Sequence, residues 1–138
     1  MTADPVLLTP GPLTTSLTVK QAMLRDWGSR DKAFIAMNAR VREGLVELAG
    51  GHGTHVCVPL QGSGTFVVEA MLGTFVPKSG KLLIIVNGAY GKRMAKMCEV
   101  MGRRHVVSET AEDTPPNPQA IAALLAGDKE ITHVAVIH

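Results

Sequence analysis

Features that would indicate a membrane protein or a disulfide-rich protein are scarce in this sequence. Its 138 residues include only two cysteines, one tryptophan, one tyrosine and three phenylalanines. Two cysteines allow one disulfide at most, and the apolar neighbours of Cys57 and Cys98 favour reduced core thiols in a cytoplasmic compartment. The longest apolar runs are too short to cross a bilayer, and no secretory signal is apparent at the start.

The sequence also has no large excess of charge of one sign, which argues against a nucleic-acid partner. The formal net charge is +2, and acidic and basic residues are mixed along the chain. The one cationic cluster, residues 102–105, is short and typical of a solvated turn between a helix and a strand. The sequence as a whole has 46% apolar and 19% charged residues. This is the composition of an ordinary globular domain with a hydrophobic core. We therefore predict no nucleic-acid and no membrane partner.

Apolar periodicity divides the chain into residues 1–50 and residues 51–138. The first part contains a proline-rich extended arm, a short helix capped by Thr15 or Ser16, and a helix over 34–48. In the second part helices alternate with strand-like runs, which predicts an α/β fold with a largely parallel sheet. The four predicted strands are 54–60, 81–86, 105–107 and 131–137.

The last predicted strand is followed only by His138. In open α/β sheets the ligand crevice lies just beyond the carboxyl ends of the strands. The sequence therefore stops where a functional loop should begin, and we expect the chain to be truncated.

The strongest local signal is Gln61-Gly62-Ser63-Gly64-Thr65-Phe66, which lies between a predicted strand and a predicted helix. Small residues let the backbone approach a ligand, and the amides of the following helix favour an anion such as phosphate. The hydroxyls of Ser63 and Thr65 add donors. Two nucleotide-binding motifs are disfavoured. A P-loop would end in Gly-Lys-Ser/Thr, which is not present here, and a Rossmann fingerprint would have a small residue in place of Val67 and an acidic residue in place of Asn87. A phosphate cup for another ligand remains, with a plain glycine-rich turn as the alternative.

A second candidate site, Asn87-Gly88-Ala89-Tyr90-Gly91-Lys92-Arg93, follows the next predicted strand. Because consecutive parallel strands end at the same sheet edge, we expect this segment to lie near residues 61–66. Tyr90 is the only tyrosine, and its small neighbours leave the ring face open to stack on a flat ligand. Ordinary packing of the ring is the alternative. The histidines show no metal-ligand spacing, so no metal is predicted.

Together these segments resemble the class V branch of the fold-type I enzymes that use pyridoxal 5'-phosphate (PLP). Leu8-Thr9-Pro10-Gly11-Pro12 looks like the N-terminal signature of that branch, and residues 7–16 are similar to the 2-aminoethylphosphonate–pyruvate transaminases in particular. Residues 61–65 match the phosphate-binding loop of that family. Residues 87–91 match the segment bearing the aromatic that stacks on the pyridine ring, and residues 132–138 match the strand leading to the next cofactor-contacting loop.

The resemblance implies a three-layer α/β/α fold, as part of the large domain of a fold-type I PLP-dependent transferase. Residues 1–50 would be an N-terminal arm with helices, and residues 51–138 the first part of the PLP-binding domain. The cofactor-binding residues implied are Gly62, Ser63, Gly64 and Thr65 at the phosphate or ring oxygen, and Tyr90 stacked on the ring.

The resemblance also implies a substrate pocket at the interface of a homodimer. Its border would include the arm residues Thr9, Pro10, Gly11 and Pro12. Residues 26–30, Asp-Trp-Gly-Ser-Arg, are a weaker candidate for the same border, and a surface loop is the alternative.

The implied reaction moves the amino group of 2-aminoethylphosphonate to pyruvate and gives phosphonoacetaldehyde and alanine, in phosphonate degradation. Another class V enzyme, such as an alanine–glyoxylate or serine–pyruvate aminotransferase, is one alternative, and a non-catalytic fragment is another. The lysine that binds PLP, the aspartate that pairs with its pyridinium nitrogen and the arginine that binds the phosphonate all lie downstream in the family. We therefore expect no catalytic residue within these 138 residues, and an inactive chain when it is alone.

Overall fold

The chain forms two compact units, residues 1–60 and residues 61–138. The structure is a computed structural model that describes residues 5–9 and 11–137. Its elements in chain order are α1 Leu17–Ala22, α2 Lys32–Leu48, α3 Gly64–Phe75, β1 Lys81–Val86, α4 Ala89–Val100, β2 Arg104–Glu109, α5 Pro118–Gly127 and β3 Ile131–Val136. None of the helices in these described ranges is long and apolar enough to span a membrane.

The first unit holds the two helices predicted there. Ser16 caps α1, since its Oγ accepts a hydrogen bond from the Val19 amide at 3.3 Å. The longer helix, α2, ends where predicted, and Gly50 follows it with a φ of +63°, a left-handed conformation that glycine adopts without strain. However, α2 buries no residue of its apolar stripe within the described chain, and Leu48 is 85% exposed.

The predicted strand over residues 54–60 is wrong. The structure has no regular element between α2 and α3, and most of the residues in this run are exposed. The run has the composition of a strand, but a strand is stable only when a neighbour accepts and donates its backbone hydrogen bonds. The run is instead held by a turn, in which the Thr54 and His55 amides donate to the Gly51 carbonyl, and by Arg42 of α2, which donates from Nε to the Cys57 carbonyl at 2.8 Å.

The second unit is built on a parallel sheet in the order β2-β1-β3. The central strand, β1, is the most apolar of the three, and five of its six residues are buried. Both other strands alternate between more and less exposed residues. This is the pattern expected when one strand is covered on both faces and its neighbours only in part.

Helices cover the two faces of β1. On one face, Leu82, Ile84 and Val86 pack with Leu72 and Val76 from α3 and its end, and with Met94 and Cys98 from α4. On the other face, Ile85 and α5 line a cavity of about 330 Å³. The helix–sheet–helix arrangement confirms the predicted α/β fold with a parallel sheet.

Charged side chains hold the amino-terminal edge of this sheet. Lys81 at the start of β1 pairs with Asp128, and Arg104 at the start of β2 donates to Glu130 at 2.7 Å. Hydrogen bonding from Lys81 keeps the pKa of the Asp128 carboxyl below its usual value. The pair Lys81–Asp128 is partly buried, at 18% and 29% side-chain exposure, so it orders the strand ends more firmly than a fully solvated pair would.

The cationic cluster at residues 102–105 is only partly the solvated turn that was predicted. Gly102 makes the turn after α4, with a φ of +63°. Arg103, however, folds back onto α3: its Nη2 donates to the Gly73 carbonyl at 3.2 Å, and its Nε and Nη1 are buried. The long aliphatic stem of arginine makes such packing favourable.

Candidate functional site

The predicted phosphate segment forms the start of α3. Ser63 caps the helix, with its Oγ accepting from the Phe66 amide at 3.2 Å. The first intrahelical bond runs from the Val67 amide to the Ser63 carbonyl at 3.1 Å. The amides of Gly64 and Thr65 precede that bond and have no acceptor within the helix. Two backbone donors at the positive end of a helix dipole favour an anion.

The two glycines of this segment have different surroundings. A Cβ placed on Gly62 would stand 2.3 Å from Cδ1 of Phe66, so Gly62 makes room for that ring. A Cβ placed on Gly64 would meet no atom within 4 Å. The structure therefore explains Gly62 by packing within the chain, whereas the space beside Gly64 is open to a ligand.

Tyr90 lies in the first turn of α4, directly after the carboxyl end of β1. Its ring is 59% exposed. The next residue, Gly91, is buried, and a Cβ there would stand 2.9 Å from the Cα of Val86. The missing side chain lets α4 approach β1 closely. This close approach holds the start of α4, with Tyr90, at the carboxyl edge of the sheet.

Arg93 joins the two predicted segments. Its Nη1 donates to the Thr65 hydroxyl at 3.1 Å, and its guanidinium carbon lies 5.3 Å from the ring centre of Tyr90. The two segments are therefore close, as predicted, but not because two consecutive strands end there, since the first of those strands does not exist. Arg93 ends the second predicted segment, but no role was predicted for its side chain. The available signal was its spacing: it lies three residues after Tyr90, on the same helix face.

Other contacts order the carboxyl edge of the sheet around this site. The Asn87 side-chain amide donates to the Ile137 carbonyl at 3.1 Å, and the Thr110 amide donates to the Val86 carbonyl at 2.9 Å. Lys92 pairs with Glu109 at 3.0 Å. Hydrogen bonding to Glu109 raises the pKa of Lys92, which keeps that ammonium group fully charged.

The predicted pocket-border residues belong to the first unit. Thr9 donates from Oγ1 to the Pro12 carbonyl at 2.7 Å, a Cβ on Gly11 would meet no atom within 4 Å, and Pro10 lies outside the described residues. In the weaker candidate loop, Trp27 packs within its own unit. Its ring stacks on Phe34 at 6.2 Å, with the Arg25 guanidinium 4.1 Å from the ring centre. A role for either segment at a pocket stays a prediction.

The cysteines and the metal-binding residue types form no second site. Cys98 is buried and free, and burial raises the pKa of its thiol. Cys57 is free but only half-buried, so it is less of a core residue than predicted. Within residues 5–9 and 11–137, no group of three or more histidine, cysteine, aspartate or glutamate side chains is arranged to hold a metal ion.

No protein-family model matches the sequence, but curated proteins match it over its whole length. The 2-aminoethylphosphonate–pyruvate transaminase 1 of Polaromonas sp. (strain JS666 / ATCC BAA-500) is 58% identical over 100% of the chain. The 2-aminoethylphosphonate–pyruvate transaminase of Pseudomonas putida (strain W619) is 56% identical over 100% of the chain. The chain is therefore similar to these transaminases over its whole length, as the resemblance of its motifs implied. It spans about 38% of the length of each of these two relatives.

Solved structures agree with this similarity at the level of the fold. Pyridoxamine–pyruvate aminotransferase from Mesorhizobium loti superposes with a TM-score of 0.81 and 26% identity, over 99% of this chain and 35% of that one. Alanine–glyoxylate aminotransferase from Nostoc sp. superposes with a TM-score of 0.75 and 22% identity, over 100% of this chain and 38% of that one. The chain thus has part of an aminotransferase fold, as the resemblance in sequence implied.

Proposed function

We propose that this transaminase-family chain supplies the phosphate cup and the ring platform of a PLP-dependent aminotransferase. The whole enzyme would move the amino group of 2-aminoethylphosphonate to pyruvate, giving phosphonoacetaldehyde and alanine. The observation that carries the proposal is the meeting of Thr65, Arg93 and Tyr90 beside the free amides of α3. The curated relatives, which are named for this reaction, support the choice of substrates.

The residues present fit the phosphate and the ring of PLP. The amides of Gly64 and Thr65 and the hydroxyls of Ser63 and Thr65 can all donate hydrogen bonds to a phosphate. The exposed ring of Tyr90 lies next to these donors and offers a face for stacking. When bound, PLP would supply the electron sink that amino-group transfer requires. The residues of this chain would bind and orient it.

The remaining roles in the reaction would belong to parts of the protein outside this sequence. We propose that the PLP-binding lysine, the pyridinium-pairing aspartate and the phosphonate-binding arginine lie there. Within this sequence, residues 1–50 would be the N-terminal arm with its helices, and residues 51–138 the first part of the PLP-binding domain. We further propose a cytoplasmic homodimer, with the arm residues Thr9–Pro12 at the border of the substrate pocket.

Borohydride reduction of the full-length protein, meaning the longer chain that contains this sequence, tests the proposal. Borohydride fixes a lysine–PLP linkage irreversibly, so intact-mass measurement should show one added cofactor. Peptide mapping should place it on a lysine outside residues 1–138. A protein that gains no cofactor mass would contradict the proposed function and favour a non-catalytic protein.

Substrate preference separates the proposed reaction from its alternative within the same class. A serine–pyruvate enzyme would use serine with pyruvate, and an alanine–glyoxylate enzyme would use alanine with glyoxylate, whereas the proposed enzyme would use 2-aminoethylphosphonate with pyruvate. Turnover of these three pairs of substrates by one preparation of the full-length protein would decide between them. The names of the curated relatives favour the phosphonate.

The substitution Gly64→Ala should separate ligand binding from folding. An added Cβ there meets no atom of the chain within 4 Å, so we expect the urea midpoint of unfolding to stay unchanged or to rise slightly. The same Cβ would occupy the space proposed for the phosphate, and we expect the dissociation constant of PLP to rise about tenfold, the equivalent of one hydrogen bond. Absorbance titration with PLP measures it.

Gly127→Ala is the matched control, because a Cβ on Gly127 in α5 also meets no atom within 4 Å. PLP affinity should be unchanged in this variant. Equal PLP affinity of Gly64→Ala and Gly127→Ala would contradict the placement of the phosphate beside Gly64.

A further inference from the structure

We infer that Arg93 is a positioning residue of the proposed cofactor site: its guanidinium fixes the Thr65 hydroxyl so that this hydroxyl donates its proton to the phosphate of the cofactor. Arg93 is not one of the residues that the resemblance in sequence assigned to the site. The inference rests on the proposed function, because it concerns the same phosphate cup. It starts from the 3.1 Å hydrogen bond between Arg93 Nη1 and Thr65 Oγ1.

The chemistry of the two groups sets the direction of that hydrogen bond. A guanidinium only donates, whereas a threonine hydroxyl has one proton to donate and two lone pairs that accept. Because Arg93 donates into one lone pair of Thr65 Oγ1, the hydroxyl proton turns away from the guanidinium. It is then available to an acceptor at the start of α3, where the amides of Gly64 and Thr65 also lack an acceptor within the helix.

The charge of Arg93 lacks a counterpart within the described chain. Its neighbour Lys92 has a carboxylate partner in Glu109 at 3.0 Å. Glu69 lines the same groove as Arg93 but makes no ion pair with it in the part of the chain described. A cation near the positive ends of α3 and α4 is unfavourable on dipole grounds. An anion bound at the start of α3 offsets that repulsion, so a bound phosphate would favour the position in which Arg93 contacts Thr65.

The same guanidinium also contacts the proposed ring platform. Its central carbon lies 5.3 Å from the centre of the Tyr90 ring, within the range of a cation–π interaction. One side chain on α4 thus contacts a residue assigned to the phosphate and a residue assigned to the ring. The planar, multi-donor head of arginine suits this double contact, and the single ammonium of lysine does not.

The test is a double-mutant cycle in the full-length protein, with the variants Arg93→Gln, Thr65→Val and the two combined. We expect each single variant to raise the dissociation constant of PLP about tenfold, the usual effect of losing one hydrogen bond to a charged group. The double variant should bind no more than about twofold more weakly than Thr65→Val alone, because Arg93 acts through Thr65. Absorbance titration with PLP gives all four constants, and Arg93→Lys should restore only part of the affinity.

Two further measurements exclude a loss of charge or of folding as the cause. Lys96→Gln removes the same charge one turn further along α4 and should leave PLP affinity unchanged. Pyridoxal, which lacks the phosphate, should bind to the wild-type protein and to Arg93→Gln with similar affinity. If Arg93→Gln leaves the dissociation constant of PLP unchanged, this inference is wrong and the proposed function still stands. The same holds if the increases in that constant caused by the two single substitutions multiply fully in the double variant. A wild-type protein that does not bind PLP overturns the proposed function, and this inference with it.

Discussion

Replacing Tyr90 with alanine should raise the dissociation constant of PLP between about tenfold and a hundredfold in the full-length protein. The ring is 59% exposed and directly follows the carboxyl end of β1, so its loss removes little packing within the chain. What it removes is the surface on which the pyridine ring would stack. An aromatic side chain contributes both its apolar area and a stacking term of about 0.5–1.5 kcal/mol to such contacts. Titration with PLP, followed by absorbance or by quenching of protein fluorescence, measures the change.

Tyr90→Phe is the control that keeps the ring and removes only the hydroxyl. Its PLP affinity should stay within about threefold of the wild-type value, since the stacking face remains. The urea midpoint of both variants should remain close to that of the wild type. If Tyr90→Ala bound PLP as tightly as the wild type, ordinary surface packing of the ring would be the correct interpretation.

Replacing Met94 with alanine should lower the free energy of unfolding by about 2–5 kcal/mol, the range for large-to-small changes of a buried residue. Met94 is fully buried in α4, within the core cluster that holds the helix against β1. The expected loss combines transfer of the side chain with the cavity it would leave. Urea unfolding of the full-length protein should show a lower midpoint at an unchanged slope. Because α4 carries Tyr90 and Arg93, PLP should also dissociate faster.

Val100→Ala is the matched control for this prediction. Val100 ends the same helix and is 81% exposed. Its truncation should change the free energy of unfolding by no more than about 0.5 kcal/mol, as is usual for a surface position. Similar losses in the two variants would contradict the assignment of the core to the Met94 side of α4.

Much of the second unit could be predicted because its signals are local. The run of apolar residues at 81–86 predicted a buried strand, and the structure places β1 at Lys81–Val86, at the centre of the sheet. The apolar neighbours of Cys98 predicted a core thiol, and Cys98 is fully buried on the face of α4 that packs on β1. In each case one short segment determines both the element and the side that it buries.

Predictions failed where the outcome depends on a partner elsewhere in the chain. Residues 54–60 have β-forming composition, but no strand among residues 5–9 and 11–137 pairs with them. The helix predicted over 34–48 is present as α2, but its spacing did not show that its apolar stripe is left unburied within the described chain. Composition measures the tendency of a segment, whereas pairing and burial need a second surface.

For the candidate site, the sequence by itself determined the two glycine-containing segments, the helices that begin at them and the family that they resemble. Only the tertiary structure decided that Arg93 joins them, with one contact to Thr65 and one to Tyr90. Arg93 and Thr65 are 28 residues apart along the chain. Their distance depends on how closely α4 packs on β1 at Gly91 and beside α3, and no local pattern of residues encodes that packing.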